Sequence, residues 1–537
     1  MKRGTQLLIV RLMFLAVFLS ASSVGYALDT IYSGDRELTL YGWLRNNTGY
    51  FLEDQPYAQN DDNLATFRTT FRGYADWKIS DNLKFWSAVQ LAYEPDYDME
   101  KGSGTEDKYY CEYDDINDVL REMYFELRPS KKNNIKIGRQ IAIWGESMTE
   151  RIGDVIHPED QRWTFAFANQ EDTRIPQWMI RGIHDVDSIS SSFEWIVSPL
   201  LVDDKYRVNR QGDFAMPVSH LSGQRFGIYP EDRFLPPYSV GNPILFPSPN
   251  YPGGVAGPPF SNTWHQLPDF IPGLGGTYVP GDIPHVTEEY PDGWDDTRFG
   301  FRTSTNAGGY QFGLMYWHSH NFDPLVEPGQ LTGNMIPTGP GQFTPEREYR
   351  LVYPSMDIIG AYMNKQLPWP GVVRAEGVYS PNKPFNTFDL NEADAIVERD
   401  YFKFMLAYDL NGFLYFDWHK TAPVDLTVEY IGECVPDNDQ LQYVIYATEM
   451  PRYQSRFNAR ISTNWLYNRI ATDLVVSYSP WANSGLVMPT VKYMPGWMNQ
   501  SWSFELKYIN IYGDNNYEGL GILRHKDMIV FTTQFNF

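Results

Sequence analysis

The chain has 537 residues, with 44 Lys+Arg against 67 Asp+Glu, two cysteines and a formal charge of −23. Its 37 Tyr, 32 Phe and 16 Trp supply ample apolar surface to bury, which excludes a disordered chain. Two cysteines cannot staple a fold of this length, and the negative charge disfavours nucleic-acid phosphate as a partner.

In chain order, Lys2, Arg3 and Arg11 precede the apolar run Leu12–Ala21 and then the small residues around Gly25 and Ala27. That order predicts a secretory signal peptide over residues 1–27, cleaved after Ala27, and a single domain over 28–537. As a helix, so short a run reaches only ~15 Å, about half a bilayer core, which argues against an anchor. No later segment offers eighteen uninterrupted apolar residues, so no spanning helix is expected.

The next elements alternate with period two. Over 67–79, Phe67, Thr69, Phe71, Gly73, Ala75, Trp77 and Ile79 fall on one face, and Arg68, Thr70, Arg72, Tyr74, Asp76 and Lys78 on the other. After a turn at Ser80-Asp81-Asn82, Leu83, Phe85, Val89, Leu91 and Tyr93 oppose Lys84, Gln90 and Glu94. Successive side chains of a strand point to opposite faces, so each segment has one greasy and one polar wall. Loop 95–117 is crowded with Asp and Glu. It lacks the spaced D-x-D-x-D-G pattern of a calcium loop, so it is read as a solvated acidic face and no metal site is assigned.

Leu120–Ser147 reads LREMYFELRPSKKNNIKIGRQIAIWGES. Its Gly138-Arg139-Gln140 and Trp144-Gly145-Glu146-Ser147, with Ile156–Asp160 (IHPED) beyond, resemble the outer-membrane family catalogued as domain of unknown function 1302, with His157 where that family more often has Asn. The resemblance implies a porin-like channel or transporter of unsettled substrate. In the residues themselves, Lys136, Gly138, Gln140, Ala142, Trp144 and Glu146 share one wall. Arg139 falls among the isoleucines of the other, where facing lipid costs about 2–4 kcal/mol. Either it snorkels at an interface, or Gly138 marks a bulge that turns it into the lumen near Glu122 or Glu126. The WGES run either closes a strand at an aromatic girdle or lines a translocation path.

Connection 199–296, long and proline-rich, reads as a plug or an external cap. His318 and His320 share a strand face; Ser319 points away from both, so no nucleophile–base pair forms, and interfacial histidines are the plain reading. No CxxCH, GxSxG, HExxH or phosphate loop occurs, so no cofactor and no catalytic residue is assigned. Cys111 and Cys434, both placed in external loops, leave a disulfide open.

Alternation resumes in Tyr401–Asp409, before an Asn411-Gly412 hairpin turn, and again in Arg456–Trp465 and from Trp502 to Tyr508. Short connections near 80–82, 129–134, 186–189, 305–308, 366–370, 411–412, 466–468 and 495–499 alternate with nine longer ones. Together these predict an all-β transmembrane antiparallel β-barrel of 16–18 strands, with eighteen the best count, short periplasmic turns and long external loops. The last strand carries Ile529, Phe531, Phe535 and Phe537 on one face; its terminal Phe resembles the recognition signal of Gram-negative barrels, which implies the barrel assembly machinery as a partner. Outer-membrane lipid and lipopolysaccharide are the surroundings this implies. The expected function is passive passage of solutes or of hydrophobic, lipid-like molecules, through a pore lined by Arg139, Gln140, Trp144, Glu146, Arg68, Arg72, Lys84, Glu122 and Glu126. The competing readings are an exopolysaccharide exporter, and a surface scaffold, adhesin or electron-conduit sheath.

Overall fold

The computed structural model describes residues 30–53, 64–95, 116–160, 170–200, 270–271, 276–278, 283–291, 293–339, 342–387, 395–416, 419–439, 441–442, 450–498, 501–513 and 520–537. Eighteen antiparallel strands form one closed sheet. They are β1 (Arg36–Phe51), β2 (Leu64–Ser80), β3 (Leu83–Tyr93), β4 (Leu120–Ser130), β5 (Asn133–Gln140), β6 (Gln177–Val186), β7 (Ser191–Leu200), β8 (Gly293–Ala307) and β9 (Tyr310–His320). The ring continues through β10 (Ser355–Gln366), β11 (Val372–Thr387), β12 (Ile396–Phe416), β13 (His419–Cys434), β14 (Tyr453–Trp465), β15 (Ile470–Ser479), β16 (Ser484–Tyr493), β17 (Trp502–Gly513) and β18 (Met528–Asn536). Each strand pairs with its successor, and β18 returns to β1 from Trp43↔Asn536 to Phe51↔Met528. The expected count of eighteen is the count observed.

Alternation becomes two surfaces. On β9, Leu314 is 64% exposed on the outside while the adjacent Met315, and Trp317 two residues on, are buried inside. Phe67, Trp77, Phe125, Phe404, Leu406, Phe457, Leu506 and Phe531 join the outer belt, an apolar band of the kind a bilayer requires. Among the described residues no helix is long and apolar enough to cross a membrane; the strands cross.

The seam is closed by the last residue. Gly42 donates its N–H to the Phe537 carbonyl at 2.9 Å, and Phe537 donates back to the Gly42 carbonyl at 3.0 Å. The Phe537 ring stacks on Phe71, with centroids 6.0 Å apart. A Cβ on Gly42 would stand 2.4 Å from the Arg72 carbonyl oxygen and 2.8 Å from the Phe537 ring. Glycine is therefore what lets the two strands and the terminal ring meet.

One turn differs from expectation. β12 runs past Asn411-Gly412 to Phe416, and the connection to β13 falls at 417–418. Gly412 has φ +72° and donates its N–H to Asp425 Oδ1 at 2.9 Å, within an irregular stretch between Leu410 and Leu414. The positive φ that suits Asn-Gly to a hairpin equally suits a bulge.

On the loop side, Leu325–Gly339 and Gln342–Val352 form a hairpin, and Ile283–Glu289 pairs parallel to its second strand. The plug-or-cap question for 199–296 and the acidic loop 95–117 fall mostly outside the described residues, as does Cys111; Cys434 ends β13 and is not in a loop.

Gly42→Val should break the seam by overpacking against backbone. The expected outcome is a reduced fraction of folded, heat-modifiable protein on unheated gels, with Phe537→Ala milder; wild-type mobility for both variants would refute the role given to this contact.

Candidate functional site

Strand β5 was expected to run to Glu146, with an external loop over 147–175; it ends at Gln140, and the described residues of the connection to β6, 141–160 and 170–176, are folded inside the barrel. The connection turns inward because its apolar side chains find an apolar inner wall. Trp144, Ile152 and Ile156 pack with Ala142 against Met179, Ile196, Met315, Trp317, Ile358, Met405 and Ile431 of β6, β7, β9, β10, β12 and β13. Trp144 meets Trp317 edge to face at 5.7 Å. Each large side chain so buried contributes on the order of 1.5–3 kcal/mol, set against the entropy of ordering the loop.

Wall carboxylates then fix its backbone. Glu376 of β11 accepts the N–H groups of Glu146 (3.0 Å), Ser147 (3.1 Å) and Gly153 (2.9 Å). Glu429 of β13 accepts the Met148 N–H at 3.0 Å and the Thr149 hydroxyl. Glu194 of β7 accepts the Trp144 indole N–H at 2.9 Å and pairs with Arg181 (2.7 Å) and Arg302 (3.2 Å). Farthest out, Thr149 accepts from Asn458 of β14 at 2.8 Å, while Glu150 pairs with Lys403 at 3.2 Å and with Arg456. In a ring of eighteen strands β14 lies opposite β5, so the loop lines the inner wall over about half the circumference.

The return limb is held by charge. Asp154 pairs with Arg174 (2.6 Å) and Arg151 (3.3 Å), and Asp172 with Arg72 (2.7 Å) and Arg45 (3.4 Å). Burial pushes these loop carboxyls up, yet Arg151 and Arg174, and Arg72 and Arg45, more than reverse it and hold both below the ordinary value. His157 is fully buried. Its Nε2 accepts the Ala142 N–H at 2.8 Å and its Nδ1 donates to the Ile175 carbonyl at 3.1 Å. Burial pushes its pKa down to about 3, with Asp154 opposing, so the ring is neutral.

The nine pore-lining candidates stand in different settings. Trp144 is at the centre of the loop's core and not at a girdle. Glu146 accepts from Asn364 at 3.1 Å. Glu122 accepts the Ile141 N–H at 3.0 Å, and Gln140 donates to the Met179 carbonyl at 3.2 Å, so both serve the loop's root. Arg68 is almost wholly buried, and Arg72 holds the return limb. Lys84 pairs with Asp76 (2.7 Å) and Glu126 with Arg128 (2.6 Å) near the turn end. Arg139 and Gln140 are both buried, at 3% and 1%, beside Ile137 at 46%. Gly138 has φ +137°, but no residue is inserted and the register is continuous, with Arg139 opposite Met123 and Trp178, so the expected bulge is absent. Glu122 bonds Ile141, and Glu126 bonds Arg128 and Asn134, with Lys136 at 4.0 Å.

Sequence reasoning missed Glu194, Glu376 and Glu429. Each is an inward carboxylate among other inward polar residues of its strand, such as Asp425 and Glu433 beside Glu429 or Arg374 beside Glu376, so alternation carries no signal that it will hold a loop. The two histidines are separated in use: His318 bonds Asp357 at 2.8 Å, and His320 approaches the Tyr353 and Asp296 carbonyls at 3.2 Å.

The chain matches the family described as protein of unknown function (DUF1302) over residues 52–537. It belongs to that family. Among solved structures it is similar to the outer membrane channel DcaP of Acinetobacter baumannii (10% identity, TM-score 0.39, covering 95% of this chain and 100% of that one). It is also similar to Acinetobacter baumannii OccAB1 (8%, 0.45, 93% and 95%) and Pseudomonas aeruginosa OccK9 (8%, 0.43, 93% and 97%). No curated protein matches it significantly. Its fold is a closed eighteen-strand antiparallel β-barrel.

Glu376→Ala should leave three inward N–H groups without their acceptor and weaken the loop's attachment by about 2–4 kcal/mol. Amide exchange at Glu146, Ser147 and Gly153 then accelerates, with Glu376→Gln intermediate; unchanged exchange would remove Glu376 from this role. For His157, an exposed imidazole binds a proton below pH ~6.5 that the packed ring refuses. Its contribution is therefore complete above that pH and is lost as pH falls toward 3. Loop cleavage by an acid-active protease should rise across that window, and less steeply in His157→Gln.

Proposed function

We propose that this chain is a passive channel of the Gram-negative outer membrane whose cross-section is set by the 141–176 loop. The observation that carries the reading is the loop itself: an inward lining, pinned by buried carboxylates on β7, β11 and β13, inside a closed barrel. The apolar inner surface of β6 to β13 is taken up by this lining. The passage left is bounded by the loop and by β15–β18 and β1–β4, where Asp473, Glu505, Lys507, Arg45, Asp76 and Lys84 sit. Solutes with polar edges suit it better than bare lipid chains. Of the nine candidate lining residues, Lys84 and Glu126 face this passage, while Arg72, Gln140, Trp144 and Glu122 shape it by holding the loop. Residues 1–27 direct export, Phe537 is offered to the barrel assembly machinery, and the outer belt meets lipid and lipopolysaccharide.

Reconstituted into planar bilayers, the protein should show steady single-channel conductance. Glu376→Ala combined with Glu429→Ala should raise it about twofold by freeing the loop. A wild type that never conducts would sink the channel reading, and an unchanged conductance in the double variant would sink the loop's part in it.

A further inference from the structure

The inner wall of β1–β4 carries a feature that the loop does not use. Strand register stacks its inward residues in rows. Nearest the turn end, Glu37, Lys78, Lys84 and Glu126 stand opposite one another across the four strands. The next row is Thr39, Asp76, Trp86 and Tyr124, and the one above it Tyr41, Tyr74, Ala88 and Glu122. Four inward aromatics thus lie within two adjacent rows. Tyr41 and Tyr74 stack at 4.9 Å with 20° between planes, and the Trp86 ring is 5.7 Å from Tyr74 and 6.3 Å from Tyr41. Their outward neighbours Trp77 and Phe125 belong to the lipid belt, so girdle duty does not account for these rings. Tyr41 is 36% exposed although it points into the barrel. Beside them a cleft of about 280 Å³ opens between Glu37, Thr39, Asp76, Lys84, Glu126 and Arg128; about 150 Å³ suffices for one benzene ring.

We propose that this aromatic ledge is a solute-binding subsite for an uncharged ring compound with flat apolar faces and a hydrogen-bonding edge. The proposal rests on the channel reading and names the solute class for it. The flat faces of Tyr41 and Trp86 reward a ring that stacks on them and give nothing to an ion or a flexible polyol. Six of the seven charged residues lining the cleft are matched, Lys84 with Asp76 at 2.7 Å, Lys78 with Asp81 at 2.9 Å and Arg128 with Glu126 at 2.6 Å, and Glu37 stands opposite Lys78. Matched pairs select no net charge but present donors and acceptors side by side, as hydroxyls at a ring edge require. The four strands span ~14 Å at their usual spacing, the reach of a two-ring solute. A pyranose and a phenol share this chemistry.

The test uses the full-length protein in detergent and ligand-observed saturation-transfer NMR, with cellobiose, resorcinol and the open-chain polyol sorbitol as probes. Saturable binding of cellobiose, resorcinol or both, with sorbitol inert, supports the subsite, and the binding probe identifies the source. Trp86→Ala with Tyr41→Ala should weaken that binding about tenfold, while Trp86→Phe retains most of it; unheated gel mobility confirms that each variant is folded. Absence of saturable ring binding, equal binding of sorbitol, or unaltered affinity in the double variant overturns it. Because this readout needs no current, a protein that binds without conducting refutes the channel and leaves the ledge, and one that conducts without binding does the reverse.

Discussion

Inside hydrocarbon a backbone N–H or C=O finds no water, so every strand in the bilayer must be paired on both edges. That constraint makes the sheet a ring, and a ring exists only where its first and last strands meet. Here they meet through nine paired positions and the two bonds between Gly42 and Phe537. The terminal Phe acts twice: its backbone extends the ladder by one residue, and its ring covers the outer face of the seam against Phe71. Closure also creates the second compartment. Once the outside is given to lipid, every polar group that must be satisfied, and every loop that is to be protected, has the lumen.

The lumen is not uniform. If alternation meant only apolar outside and polar inside, β9 would not carry Met315 and Trp317 on its inner face. These residues, with Ile358, Met405 and Ile431, make an inner surface that water would wet poorly, and the 141–176 loop covers it. Apolar contact alone would let a loop slide. The wall carboxylates remove that freedom, because Glu376 and Glu429 accept from defined N–H groups at defined positions. Grease draws the loop in, and acids give it one register.

Much of the ring was legible in the sequence. Period two reports which face meets lipid, and Phe67, Leu406, Leu506 and Phe531 are where it placed them. The error at Asn411-Gly412 has a local cause, since a positive φ at Gly412 serves a bulge as well as a turn. The loop was illegible for a different reason. Trp144-Gly145-Glu146-Ser147 records a residue order, whereas its inward course depends on partners some fifty to almost three hundred residues away, Glu194, Glu376 and Glu429. Such pairings leave no periodic trace.

The loop and the aromatic ledge are joined by one cluster. Above the ledge the next inward row holds Trp43 and Arg72. Both the Arg45 and Arg72 guanidinium groups lie over the Trp43 ring, at 4.2 and 4.9 Å, and both pair with Asp172 of the returning loop. Withdrawal of Asp172 would leave two adjacent cations sharing one indole with no carboxylate between them, and their repulsion would shift Trp43, the ring nearest Tyr41 along β1. The loop therefore does more than narrow the opposite side of the lumen. Through a single carboxylate, Asp172, it also holds Arg45 and Arg72 over Trp43, in the inward row next to the ledge.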